Sequence, residues 1–102
     1  MSAFLIADVS PADMQAYRDS GYLEAVPKIA AEYGGVYRAR GGRVEVLEGE
    51  WQPKRLVVIE FPSWDQLQAF YYCEAYAPYR DIRQRLTESH IVALEGTDAT
   101  PK

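Results

Sequence analysis

The chain has 102 residues, enough for one hydrophobic core and too few to divide into two. Hydrophobic residues make up 48% and charged residues 25%, the balance of an ordinary globular domain. A formal net charge of −4 and a pI near 4.9 argue against nucleic acid, whose phosphates call for a basic face. No apolar run approaches the roughly 20 residues of a membrane-crossing helix, so no membrane is expected. The first ten residues, MSAFLIADVS, lack a basic leader and read as a strand rather than a signal peptide. Cys73 is the single cysteine, which rules out an internal disulfide and fits a reducing compartment, the cytoplasm.

In chain order, Ala3 to Val9 reads as a strand apolar on both faces until Asp8. Ser10-Pro11-Ala12-Asp13 reads as a helix start, with serine at the N-cap and proline in the first turn. Met14, Tyr17, Gly21, Ala25, Ile29 and Tyr33 then fall on one face of a long helix. Gly21 and Pro27 interrupt it, and a kink or break is expected shortly before Pro27. Gly34-Gly35 closes the helix with a left-handed cap.

Val36 to Arg40 and Val44 to Leu47 alternate as a strand pair joined by a tight turn at Gly41-Gly42. These glycines form no G-x-G-x-x-G or Walker pattern and read as structural. Leu56 to Phe61 is a buried strand, apolar on both faces until Glu60. Pro62 ends it, and Ser63 with Gln66 forms a capping box for a helix carrying Leu67, Phe70 and Tyr71 inward. Pro78 is tolerated only in a first turn, so a new helix begins around Glu74 or Ala75, after a break at Cys73. Its inward stripe is Tyr79, Ile82 and Leu86. Ser89 to Glu95 is the last strand; residues 1–96 form the domain and 97–102 a polar tail.

The order βαββαβ is that of an α+β, ferredoxin-like domain: an antiparallel sheet with its first and third strands central and its helices on one face. The two central strands are nevertheless apolar on both faces. Helices cover only one, and wetting the other would cost about 1.5–3 kcal/mol for each large side chain. A second sheet packed face to face removes that cost, so a homodimer is expected.

The stretches GGVYRARGG (Gly34–Gly42), VEVLEGEWQPKRLVVIEFPS (Val44–Ser63) and FYYCEAYAPYRDIR (Phe70–Arg83) resemble the bacterial domain-of-unknown-function family thirteen-thirty. That family lies in the dimeric α/β-barrel superfamily, and the resemblance implies a ferredoxin-like protomer paired through its sheet. It brings no established activity. Family members usually carry a histidine before the double glycine; here Tyr33 stands there, which weakens any proposal built on that position.

Five residues stand out for chemistry. Glu60 breaks an apolar run and needs a partner, Arg38 or Arg40 of the neighbouring strand, or a ligand. Asp8 holds the matching place on the other central strand; were the two carboxylates neighbours, one would have a raised pKa suited to proton transfer. His90 is the lone histidine and a general-base candidate, against the blander reading of a surface residue. Tyr72 would donate to a developing oxyanion, and Arg38 would hold a carboxylate or enolate. Arg38, Glu60, Tyr72, His90 and Asp8 are thus expected around one pocket. The structural alternative pairs Arg38 with Glu60 and makes the rest packing. The tyrosines Tyr71, Tyr72, Tyr76 and Tyr79 suit a core or interface as well as a pocket, and Arg80 and Arg83 either bind an anion or solvate a helix face. With one histidine, one cysteine and no H-x-x-H or C-x-x-C, no metal and no cofactor are expected, and nucleophilic catalysis by Cys73 is not. Two functions follow. One is a cofactor-free enzyme, isomerase or monooxygenase in type, acting on a small organic molecule; the other is a non-catalytic binding or structural module.

Overall fold

The computed structural model describes residues 1–97. Four strands, β1 (Ala3–Pro11), β2 (Val36–Arg40), β3 (Leu56–Phe61) and β4 (Thr87–Glu95), form one antiparallel sheet in the order β2-β3-β1-β4. Between β1 and β2 lie α1 (Met14–Asp19) and α2 (Tyr22–Glu32); between β3 and β4 lie α3 (Trp64–Tyr71) and α4 (Ala77–Leu86). The apolar central strands expected from the sequence are β1 and β3. Of the polar tail, residues 98–102 lie outside the described residues.

Alternation along the strands sorts side chains onto two faces. Leu5, Ala7 and Val9 of β1, with Val57, Ile59 and Phe61 of β3, join Tyr17, Val26, Ala30, Leu67, Phe70 and Tyr76 in the core under the helices. Phe4, Ile6, Leu56 and Val58 point the other way and stay half-buried, beside exposed Val36, Val92 and Leu94. The second apolar face read from the sequence is therefore present, and within the protomer no layer of helices covers it.

Local signals explain where the helices start and stop. Asp13, not Ser10, caps α1, its carboxylate accepting from the Gln15 and Ala16 amides. Ser10 and Pro11 instead extend β1, which runs on because β4 offers partners as far as Thr87. The interruption falls at Gly21, whose φ of 82° is left-handed, and not before Pro27. Pro27 sits inside α2, and the carbonyl it leaves without an intrahelical donor, that of Leu23, accepts from Arg40 Nη2. Gly34, at φ 81°, ends α2 as expected. Ser63 caps α3, and Pro78 lies in the first turn of α4, which begins at Ala77 after a turn at 74–76.

The expected strand Val44–Leu47 is not one. Residues 42–55 form an exposed connection with Leu47 and Trp51 open to solvent. Alternation there has no layer to be buried against, so the pattern brings no pairing energy. In α4 the buried residue is Arg83, while Tyr79, Ile82 and Leu86 are half-buried.

Candidate small-molecule site

Where α1 and α2 lie over the β2–β3 side of the sheet, the core opens into a cavity of about 40 Å³. A water needs at least about 10–15 Å³ of such space, so the cavity has room for about two or three. Its floor is aliphatic, Ala7, Val57 and Ile59, and its polar groups are Tyr17, Tyr22, Tyr37, Tyr76, Arg40 and Arg55. Tyr17 and Tyr22 bracket the α1–α2 junction, and their rings stack with centroids 5.1 Å apart. Tyr76, in the turn before α4, stacks on Phe70 at 4.7 Å.

The hydroxyls are ordered by a buried cation. Arg83 Nε donates to the Tyr76 hydroxyl at 3.4 Å, and the Tyr22 and Tyr76 oxygens are 2.7 Å apart. A guanidinium only donates, so Tyr76 accepts from Arg83, while either hydroxyl can donate in the Tyr22–Tyr76 bond. That bond uses one of the two hydroxyl protons and leaves the other for whatever occupies the cavity. Burial pushes Tyr17 and Tyr37 each up to about 12 and raises Tyr22 further, with Tyr76 adding to it. At neutral pH these tyrosines are donors, not bases.

Arg40 closes the mouth. Its guanidinium lies over the Tyr37 ring, 5.1 Å from the centroid, and reaches across to the Leu23 carbonyl. Arg55 lies beside Gly41, where a Cβ would come within 2.9 Å of its Nε. Neutral hydroxyl donors and two guanidinium groups around an apolar floor suit a small molecule with one electron-rich oxygen.

The five residues singled out from the sequence do not converge. Glu60 and Arg38 pair at one end of the open sheet face, Arg38 Nε donating to Oε1 at 2.9 Å, while Ser2 donates to Oε2 at 2.5 Å. The Ser2 hydroxyl first, then Arg38, hold the Glu60 carboxyl below its ordinary value. Asp8 lies on the same face at the other end: Glu60 pairs with Phe4 and Leu56 with Asp8. Four residues of strand separate them by about 13 Å, so they do not share a proton. The Asp8 carboxylate accepts the Lys54 and Arg55 amides at 2.9 and 3.2 Å and anchors the end of the 42–55 connection. His90 faces Asp8 across the β1–β4 ladder, exposed, with Glu88 at 3.9 Å. These two line a concavity of about 340 Å³ with Trp51, which Arg38 and Glu60 do not reach. Tyr72 is 71% exposed at the C-terminus of α3, against Tyr71 and Arg80. It touches neither group.

The cavity residues carried weaker signals. Tyr17 fell on the inward helical face, and Tyr76 among the aromatics of the second half. In the sequence Arg40 stands only as an alternative partner for Glu60; the signal for its role is Pro27, four residues beyond Leu23. Among the described residues no cluster of histidine, cysteine, aspartate and glutamate is disposed to hold a metal ion, and no helix is long and apolar enough to cross a membrane.

Residues 2–97 match the family model described as Domain of unknown function (DUF1330). No curated protein matches the chain. Among solved structures, the chain is similar to RPA0582 from Rhodopseudomonas palustris, a protein of unknown function. The TM-score is 0.71 at 16% identity, covering 95% of this chain and 83% of that one. It is also similar to SnoaB from Streptomyces nogalater, a cofactor-independent oxygenase, with TM-score 0.61 at 12% identity over 99% and 98% of the two chains. At these identities the likeness is one of fold.

Proposed function

The chain belongs to the DUF1330 family, and we propose that it takes into the helix–sheet cavity a small, largely apolar molecule bearing one acidic oxygen, such as a phenol or an enolisable ketone. The observation that carries this is the donor chain Arg83–Tyr76–Tyr22, which ends in a cavity with Arg40 and Arg55 at its rim. Such a donor set stabilises an oxyanion and lowers the pKa of a bound acid. A ligand larger than the cavity's volume of about 40 Å³ enters by displacing Arg40 from the Leu23 carbonyl.

Turnover without a cofactor is the second reading. SnoaB, of the same fold, is a cofactor-independent oxygenase, and an oxyanion held by this cavity's donors would be an electron-rich substrate for such a reaction. Tyr17, Tyr22 and Tyr37, held protonated by burial, are poor bases at neutral pH, so the substrate must ionise by its own acidity. Glu60 and His90 lie on the face away from the cavity. For them, with Arg38 and Asp8, we propose roles at the rim of a homodimer interface formed by the open face. Its half-buried Phe4, Ile6, Leu56 and Val58 support that pairing. Sedimentation should then give about twice 11.6 kDa, and a stable monomer refutes it.

The test of the cavity is a chromophoric phenol such as 4-nitrophenol. Binding should raise the melting temperature and shift the phenol spectrum to its phenolate form at lower pH, and Tyr22→Phe should weaken both effects. Neither effect at millimolar probe refutes the site. Oxygen consumption with a panel of phenols and enolisable ketones separates an enzyme from a binding module.

A further inference from the structure

Arg83 has a second side. It is 3% exposed, yet none of the ion pairs among the described residues includes it. Its guanidinium's only hydrogen-bond partners there are two neutral hydroxyls, Tyr76 at 3.4 Å and Tyr71 at 3.3 Å. Both are long beside the roughly 2.7–2.9 Å of a charge-assisted bond. A buried guanidinium without a counter-charge keeps most of its desolvation penalty. Nη1 makes no hydrogen bond among the described residues, and no fully buried side-chain nitrogen or oxygen there lacks one, so Nη1 is not fully buried. Arg83 lines a concavity of about 270 Å³ between α4 and β4, together with Tyr71, Gln84, Thr87, Ser89 and Ile91.

We propose that this concavity is a binding site for a small monocarboxylate, received by the free edge of Arg83. Tyr71 accepts from Nη2, which leaves its hydroxyl proton to donate to the same ligand. The Thr87 and Ser89 hydroxyls are engaged with each other and with the Arg83 carbonyl, and so fix the wall. Ile91 gives the carbon chain an apolar surface. One guanidinium balances one charge, and its planar fork matches a carboxylate; the second charge of a phosphate would be left unmatched. This site is separate from the helix–sheet cavity, which Arg83 meets only through the Tyr76 hydroxyl.

The experiment is thermal unfolding with sodium acetate, propionate or benzoate, against chloride and phosphate at constant ionic strength. Carboxylates alone should raise the melting temperature saturably, by about 5–10 °C at ten times Kd. An equal response to all the anions, a response to phosphate alone, or none overturns the assignment. Removing Arg83 risks the fold, so the decisive variant is Ser89→Asp, which supplies the counter-charge from within. It should raise the melting temperature and abolish the acetate response. Failure to stabilise, or a retained response, refutes the missing counter-charge. Tyr22→Phe should leave the acetate response intact, so failure of the cavity reading and failure of this one are distinguishable.

Discussion

Two substitutions, each removing one oxygen and no carbon, test the order of the buried hydroxyls. Tyr76→Phe leaves the ring stacked on Phe70 but strips Arg83 Nε of its acceptor and Tyr22 of its partner. A hydrogen bond to a charged group contributes about 1.5–3 kcal/mol and a neutral one about 1. The Arg83 bond is long at 3.4 Å, so the lower figure applies and the sum is about 2.5 kcal/mol. Tyr22→Phe removes only the end of the chain and leaves Tyr76 with Arg83, at a cost of about 1 kcal/mol. For a domain of this size the melting temperature should fall by about 10–20 °C for Tyr76→Phe and about 4–8 °C for Tyr22→Phe. The double variant should cost about 1 kcal/mol less than the sum, because the shared bond is counted once. Calorimetry, or urea unfolding with an unchanged m-value, reads all three. Equal losses from the two single variants, or additivity in the double, refute the relay running from Arg83 through Tyr76 to Tyr22.

Asp8→Ala should cost about 3 kcal/mol by freeing the Lys54 and Arg55 amides, whereas Asp8→Asn keeps an acceptor and should cost less than about half of that; urea unfolding compares them. Glu60 has a folded pKa below its ordinary 4.5, so its contribution to stability is full above that value and is lost as pH falls through the folded one. Glu60→Gln should therefore flatten that part of an acid-unfolding curve and leave the curve near neutrality parallel to that of the native protein. Arg40→Met should cost about 1 kcal/mol in the native background and little in Pro27→Ala, where α2 supplies its own donor to the Leu23 carbonyl; a double-mutant cycle checks the coupling.

Most of the fold is legible because its signals are local or periodic. Ser63 with Gln66, Gly34 before Gly35, and Pro78 each fix a helix boundary through their own backbone chemistry, and β1 and β3 declare two apolar faces by lacking polar alternation. What failed needed information from across the chain. Ser10 looked like a cap, but the ladder partner Glu88 kept it in a strand. Val44 to Leu47 alternates, yet periodicity says only which side would be buried, not whether anything lies there to bury it.

The candidate site failed to show itself for a related reason. Charges on apolar strands are conspicuous, and Glu60, Arg38 and Asp8 drew the eye on that ground. Alternation divides a strand into two faces without saying which one the helices cover, and all three belong to the uncovered face. The polar groups that do meet the cavity are mostly tyrosines, whose rings resemble core in any sequence. Arg83 shows how a residue can keep two readings. Positions 79, 82, 83 and 86 follow the spacing of an inward helical face. The charge at 83 leaves an anion site and a solvated helix face both open. The chain keeps it inside by wrapping it in tyrosine hydroxyls, which satisfy part of its hydrogen bonding and none of its charge. A residue that obeys the spacing of a core and breaks its polarity marks a place in the chain where a ligand would supply what the core lacks.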